Sequence, residues 1–89
     1  MKISIITVVK NDERFIEKTV KSIINQHLPI EYIVVDGNST DATFEIIKKY
    51  QNKIDLIISE KDDGLYDAMN KGIKNATGDI IGICNSGDV

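Results

Sequence analysis

The 89-residue sequence predicts one α/β domain, in which a parallel sheet lies between two layers of helices. Four short apolar runs rich in Val and Ile are typical of strands that are buried on both faces. The segments between these runs repeat apolar residues at helical spacing. Because each strand is followed by a helical crossover, neighbouring strands are expected to run parallel.

The four predicted strands coincide with the apolar runs. They cover Ile3 to Val9, Glu31 to Asp36, Asp55 to Ser59, and Asp79 to Asn85. Pro29 separates the first helix from the second strand. Thr77 and Gly78 are expected to end the third helix.

Three helices are predicted between these strands. The first begins near Asp12, which is expected to cap it, and extends to Gln26. The second follows Asp41, and the third covers Leu65 to Asn75. Apolar residues at helical spacing are expected to face the core: Phe15, Ile16, Val20, Ile23 and Ile24 in the first helix, Phe44, Ile47 and Tyr50 in the second, and Met69 and Ile73 in the third.

Composition excludes several classes of protein. A net charge of −3 and a pI near 5.0 give no basic surface for nucleic acid. Cys84 is the only cysteine, which excludes an intramolecular disulfide and fits a reducing compartment. The sequence has no signal-peptide pattern and no run of about 20 apolar residues that would span a bilayer. We therefore expect a cytoplasmic location, with the inner face of the membrane as the alternative setting.

Polar residues follow every predicted strand. In a parallel sheet these segments open on one edge, where open α/β sheets bind ligands. They are Lys10-Asn11, Asp36-Gly37-Asn38, Glu60 to Gly64, and Asn85 to Asp88. Residues 38–41 are interpreted as helix-capping residues. For Asp36, which ends a strongly apolar strand, the sequence leaves a ligand-binding role and a structural role equally open.

Some familiar sites are absent from the sequence. A dinucleotide site needs a glycine-rich turn after the first strand, but Val9 to Asp12 contain no glycine. The phosphate-cradling P-loop pattern is also missing, and no Cys/His cluster supports zinc. Asp88 could hold a hard divalent ion such as Mg²⁺ or Mn²⁺, because these ions prefer oxygen ligands and often need few protein carboxylates. On its own, Asp88 is better explained by a Ser-Gly-Asp turn than by metal binding.

At these segments the chain closely resembles the family 2 glycosyltransferases, inverting enzymes with the nucleotide-sugar-binding GT-A fold. Four ordered segments that together span nearly all of the sequence carry the resemblance: Ile3 to Asn11, Glu31 to Asp41, Ser59 to Gly72, and Ala76 to Asp79 leading into Asn85 to Asp88. The resemblance implies a Rossmann-like three-layer α/β/α sandwich with strand order 3-2-1-4. The most similar subgroup makes bacterial surface polysaccharides, of the colanic-acid type among others.

The resemblance also implies roles for individual residues. Val8, Val9 and Lys10 would line the nucleotide pocket, partly through backbone groups. Asp36 would contact the uracil or equivalent base, with Asp62 as a second base contact. Asp88 would hold the divalent metal, Mn²⁺ or Mg²⁺, on the diphosphate. Gly87 stands where many members carry another acid. No catalytic residue is assigned, because the family's base lies downstream of the metal motif.

Residues 1–89 are therefore expected to be the N-terminal, nucleotide-sugar-binding part of a glycosyltransferase domain without its acceptor-binding half. The expected donor is a nucleotide-diphospho-sugar, with UDP-sugar favoured, and the complete enzyme would use a glycan or lipid-linked acceptor. This chain alone is expected to be inactive in transfer. The alternative is a non-catalytic nucleotide-binding or protein-interaction module with the same fold. Exposure of the last strand would also allow copies of the chain to associate.

Overall fold

Four parallel strands form one sheet in the order β3-β2-β1-β4, which confirms the predicted order. The computed structural model describes residues 1–26, 29–61 and 63–87. The strands are β1 (Ile3–Lys10), β2 (Ile30–Asp36), β3 (Leu56–Ser59) and β4 (Ile80–Gly87). The helices are α1 (Ile16–Ile24), α2 (Thr43–Lys48) and α3 (Leu65–Asn75), and a short 3₁₀ helix occupies Gln51–Lys53.

The sheet is covered on both faces, as its apolar strands require. On one face, Val9, Tyr32 and Val34 pack against α1 and α2. On the other, Ile6 and Val35 pack with their neighbours against α3. Each fully buried Val or Ile side chain contributes roughly 1.5–3 kcal/mol of transfer free energy. These two apolar layers therefore fix the orientation of the strand ends.

Helix α3 approaches the sheet through its small residues. Ala68 and Gly72 are buried and lie one turn apart on the face toward β1 and β2. A Cβ atom at Gly72 would stand 2.5 Å from Cγ2 of Ile6. This close approach turns Ile73 outward, where it is 40% exposed, so its predicted place in the core was wrong. Met69 packs at the border of the core as predicted.

The start of α1 also differs from the prediction. The backbone carbonyl of Asp12 accepts hydrogen bonds from the amides of Phe15 (3.1 Å) and Ile16 (2.9 Å), so a turn precedes the helix. Asp12 therefore does not cap α1 with its side chain, which instead accepts a hydrogen bond from the Ser86 hydroxyl. Because Phe15 lies before the first helical turn, it is 56% exposed, against the prediction of a core position. The Arg14 guanidinium lies 5.6 Å from its ring centroid.

Helix α2 is shorter than its apolar pattern suggested. Ile47 is fully buried and Tyr50 packs against the core, as predicted. Phe44 is half-buried under the Lys48 ammonium group, and Ile46 takes a place in the core next to Ile47. The expected inward position of Phe44 was therefore wrong.

Candidate functional site

The carboxyl ends of the four strands meet along one edge of the sheet, which is called here the carboxyl edge. The register places Asp36 beside both Val9 and Ser59, and Lys10 beside Gly87. Residues far apart in the sequence thereby become neighbours, as expected for a ligand-binding edge of an open α/β sheet.

Asp36 lies fully buried at the centre of this edge. Its Oδ2 accepts hydrogen bonds from the Ser39 amide (3.2 Å) and the Ser59 hydroxyl (3.0 Å), and its Oδ1 accepts one from the Ser39 hydroxyl. The backbone carbonyl of Asp36 accepts a further bond from the Glu60 amide (3.1 Å). Burial of a carboxylate is costly unless such bonds satisfy it. Asp36 therefore organises the two neighbouring loops, and the proposed contact with a base stays a prediction.

The loops after β1 and β2 are joined by direct hydrogen bonds. The Asn11 amide donates to the Ser39 hydroxyl (2.9 Å), and the Thr40 amide donates to Oδ1 of Asn11 (2.8 Å). Asn11 and Asn38 adopt positive φ angles of 50° and 63°. Asparagine tolerates this left-handed conformation better than most residues, which explains its use at both turns.

The helix-capping interpretation of residues 38–41 is corrected by the structure for most of them. Ala42 precedes α2 without a side-chain capping bond. Within the loop, Oδ1 of Asp41 accepts a hydrogen bond from the Thr43 amide (2.9 Å). The Thr43 hydroxyl lowers the pKa of Asp41, with a further contribution from the amide bonds. Ser39 and Thr40 instead connect the two loops, a non-local role that local propensity does not reveal.

Val8, Val9 and Lys10 do not present their side chains in one direction. Val8 and Val9 are both fully buried, on opposite faces of the sheet. The Val9 carbonyl accepts a hydrogen bond from the Gly37 amide (2.9 Å). Because strand side chains alternate, Lys10 belongs to the α3 face, whereas Asp36 shares the opposite face with Val9. The sequence analysis had placed Lys10 and Asp36 in one pocket, but the pleat of the sheet directs their side chains to opposite faces.

The loop after β3 is held by side chains of α3 that the sequence analysis missed. Oδ2 of Asp67 accepts a hydrogen bond from the Asp63 amide (2.9 Å), and this bond is the main reason why the pKa of Asp67 is lowered. Lys71 Nζ donates to the carbonyl of Lys61 (2.8 Å). Desolvation acts against the charge of Lys71, but its hydrogen bonds to Glu60 and Asp67 outweigh this effect and raise the pKa of Lys71. The Asp67/Lys71 spacing of four residues was the available signal.

Two predicted site residues, Asp62 and Asp88, lie outside the described residues. Within the described ranges, no group of three or more His, Cys, Asp or Glu side chains could hold a metal ion. Asp12, a carboxylate at this edge, already accepts the hydroxyl of the buried Ser86. The proposed metal ligand, Asp88, lies outside the described residues, so the metal site stays a prediction.

Comparison with known proteins decides the family. Residues 4–89 match the glycosyl transferase family 2. The chain belongs to this family. It is 39% identical over 88 residues to an uncharacterized glycosyltransferase of Mycobacterium tuberculosis (strain ATCC 25618 / H37Rv), covering 97% of this chain and 34% of that protein. The resemblance stated from the sequence is thus confirmed.

Solved structures of related enzymes share the fold. Residues 1–349 of TarS from Staphylococcus aureus, in complex with UDP-GlcNAc, superpose with a TM-score of 0.85 at 32% identity, covering 96% of this chain and 26% of that one. The mannosyltransferase PcManGT from Pyrobaculum calidifontis, in complex with GDP-Man and Mn²⁺, gives a TM-score of 0.86 at 27% identity, covering 94% and 27%. The sheet order and flanking helices are therefore those of GT-A glycosyltransferases. The chain spans about a quarter to a third of the length of these relatives.

Within the three described ranges, no helix is both long and apolar enough to cross a membrane.

Proposed function

We propose that this chain is the nucleotide-sugar-binding part of an inverting glycosyltransferase that builds a bacterial surface polysaccharide from a UDP-sugar. The observation that carries the proposal is the superposition of nearly the whole chain on TarS, which binds UDP-GlcNAc in its crystal structure. The polar carboxyl edge of this sheet, with its joined loops, is the proposed binding surface.

The proposal assigns the nucleoside to the side of the edge that Asp36 organises. Asp36 and Asp62 are the proposed base contacts, and Val8, Val9 and Lys10 contribute backbone groups and one cation. Because Asp36 is fully buried, its contact with a base requires the surrounding loop to adjust, or else operates through Ser39. A carboxylate held in this way can accept hydrogen bonds from base N–H groups with defined geometry.

A bound diphosphate requires positive charge, and the carboxyl edge has few cationic side chains. Lys10 forms no ion pair with any carboxylate among residues 1–26, 29–61 and 63–87, and it is the proposed cation for the diphosphate. Asp88 is the proposed ligand of a Mn²⁺ or Mg²⁺ ion. Such an ion, when bound, neutralises phosphate charge and stabilises the leaving diphosphate. Transfer to a glycan or lipid-linked hydroxyl also needs a general base, and none of these 89 residues is assigned to that role.

A second candidate is a protein-interaction module, and β4 is the feature that favours it. Ile80, Ile81 and Ile83 are each more than one third exposed. The strand lies at one end of the sheet order, and α3 packs over β1 and β2 rather than over β4. Exposed apolar edge strands favour association, including association between copies of the same chain.

Calorimetric titration separates the two candidates. We expect UDP to bind more tightly in the presence of Mn²⁺ than in its absence, and UMP to bind more weakly than UDP. GDP tests the base preference, and Lys18→Met, a change at an exposed lysine of α1, is the matched control. Absence of binding for both diphosphates with Mn²⁺, together with a dimer in sedimentation, would favour the interaction module. Incubation with radiolabelled UDP-sugar and a mixed glycan pool should give no transfer by this chain.

A further inference from the structure

Lys71 of α3 makes more contacts than an ordinary surface lysine. Its Nζ lies 2.8 Å from the carbonyl oxygen of Lys61, 3.2 Å from Oε1 of Glu60 and 3.4 Å from Oδ2 of Asp67. The Lys61 carbonyl accepts a hydrogen bond from the ammonium group, and the two carboxylates lie within ion-pair distance of it. The side chain is 19% exposed. Two of its three partners belong to the loop that connects β3 to α3.

Asp67 completes the same arrangement from one turn earlier in the helix. Its Oδ2 accepts the Asp63 amide at 2.9 Å while also contacting the Lys71 ammonium. Helix α3 thus holds a carbonyl at residue 61 and an amide at residue 63. We call Asp67 and Lys71 the α3 clamp. Its attachment points flank sequence position 62 on both sides.

The loop held by this clamp is continuous with the carboxyl edge. The Glu60 amide donates to the carbonyl of Asp36 (3.1 Å), and the Ser59 hydroxyl donates to the Asp36 carboxylate (3.0 Å). The loop is therefore held at its beginning by β2 and at residues 61 and 63 by α3. A change in the clamp should reach the part of the edge that Asp36 organises.

Helix stability alone does not account for the arrangement. An ion pair at a spacing of four residues on a helix surface adds little to helix stability, whereas immobilising a lysine side chain costs rotamer entropy. A bond from Lys71 to the Lys61 carbonyl adds nothing to the helix itself, since that carbonyl belongs to the loop. What the bond does is define the path of the loop backbone.

We propose that Lys71 is a positioning residue of the nucleotide-binding edge, which fixes the loop after β3 in the conformation that receives the nucleoside of the donor. This inference rests on the proposed function. It predicts that loss of the Lys71 charge weakens recognition of the nucleoside, and that it leaves recognition of the diphosphate nearly unchanged. Arginine, which also donates several N–H groups at the end of a long side chain, should replace it in part.

The test compares Lys71→Met, Lys71→Arg and the control Lys18→Met by calorimetry with UDP and with inorganic pyrophosphate, each with Mg²⁺. For Lys71→Met we expect a roughly tenfold rise in the Kd for UDP, the equivalent of one lost charged hydrogen bond. The Kd for pyrophosphate should change less than about twofold. Lys71→Arg should recover most of the UDP affinity. Amide exchange at Asp63 in the ligand-free protein should accelerate in Lys71→Met and not in Lys18→Met.

The outcomes distinguish failure of the positioning role of Lys71 from failure of the proposed function. If the unaltered chain binds UDP and Lys71→Met binds it equally well, the positioning role is wrong and the proposed function stands. If Lys71→Met weakens UDP and pyrophosphate equally, the residue supports the whole fold and the inference also fails. If the unaltered chain binds no nucleoside diphosphate, the proposed function fails and the inference fails with it.

Discussion

Glu31 and Asp36 stand at opposite ends of β2, and each accepts hydrogen bonds from hydroxyl groups. Glu31 Oε1 accepts the Ser4 hydroxyl (2.7 Å) and the Thr77 amide (2.8 Å), and Oε2 accepts the Thr77 hydroxyl (2.9 Å). The Lys2 ammonium lies 3.5 Å from Oε2. These contacts, led by the Thr77 amide and the Ser4 hydroxyl, lower the pKa of Glu31 to about 2.

Asp36 has a different set of partners. Ser39 and Ser59 are neutral, and no cation in the described ranges forms an ion pair with Asp36. Its neighbour Lys10 points to the other face of the sheet. The Glu31 end of β2 thus has an ion pair with Lys2, whereas neither Asp36 nor Lys10 of the adjacent β1 forms an ion pair with another described residue. We therefore expect the Glu31 end to contribute mainly to stability, and the Asp36 end to contribute to the proposed binding of the donor.

The largest expected effect on stability is at Gly78, beside Glu31. A Cβ atom there would stand 2.5 Å from Ser4 Oγ, 2.8 Å from Ser4 N and 3.0 Å from Lys2 O, so the backbone must shift. Gly78→Ala should lower the free energy of unfolding in urea by about 2–3 kcal/mol. Gly82→Ala is the matched control, since a Cβ atom at that position would have no neighbour within 4 Å, and it should change stability by less than about 0.5 kcal/mol. Equal costs at both glycines would refute a tightly packed Glu31 end.

The next effect concerns Glu31 itself. Glu31→Gln removes the ion pair with Lys2 and one charged acceptor for Thr77, and should cost about 1.5–3 kcal/mol at pH 7. The pKa of Glu31 in the folded chain is about 2, below its ordinary value of 4.5, so its stabilisation is complete above pH 4.5 and is lost as the pH falls toward 2. Urea unfolding at pH 7, 4 and 3 should show the two proteins converging in acid. A constant difference across this range would contradict the assigned cause.

At the carboxyl edge, Ser39→Ala should cost about 1 kcal/mol, because its hydroxyl joins Asn11 to Asp36. UDP affinity should fall as well, since the two loops would no longer be held together. Ser22→Ala, which removes an exposed hydroxyl bonded within α1, serves as the control for both measurements. If Ser39→Ala lowers stability without affecting UDP affinity, the loop junction is structural, and the contrast between the two ends of β2 disappears.

The smallest stability effect is expected at Lys10. Lys10→Met should change the free energy of unfolding by less than about 0.5 kcal/mol, because the described residues give its ammonium no ion-pair partner. Calorimetry should nevertheless show a roughly fivefold loss of UDP affinity, consistent with a single partly exposed charge contact worth about 1 kcal/mol. Lys18→Met should leave both quantities unchanged. Unchanged UDP binding in Lys10→Met would remove Lys10 from the proposed site.

Much of the fold could be predicted from local patterns. The apolar run from Ile3 to Val9 and the run ending at Asp36 each mark a buried strand, and the intervening helical spacing requires parallel pairing. The errors came where packing overrode periodicity. Phe15 extends the apolar pattern of the first helix but precedes that helix, and Ile73 turns outward because Gly72 lies so close to Ile6 that a Cβ atom would not fit between them. Neither effect can be predicted without knowing which other segments of the chain pack against these helices.

The site was only partly predictable for a related reason. A carboxylate at the end of an apolar strand is conspicuous in the sequence, and Asp36 could be recognised on that ground. The role of Ser39 could not be recognised, since ordinary capping explains it equally well in isolation. The four-residue spacing of Asp67 and Lys71 indicates an ion pair on the helix surface, but it does not indicate that the pair holds the loop after β3. Their hydrogen bonds connect segments from different parts of the chain, and local propensity carries no information about such pairs.

The sequence by itself determined the alternation of strands and helices, and therefore the edge at which polar loops converge. It did so because strand and helix periodicity are properties of a few consecutive residues and because right-handed crossovers admit few topologies. Only the tertiary structure decided which polar residues meet. The register sets Asp36 beside Ser59, the pleat turns Lys10 to the opposite face, and α3 carries Lys71 to the loop after β3. These are consequences of contacts between distant segments, which form only when the two apolar layers have packed.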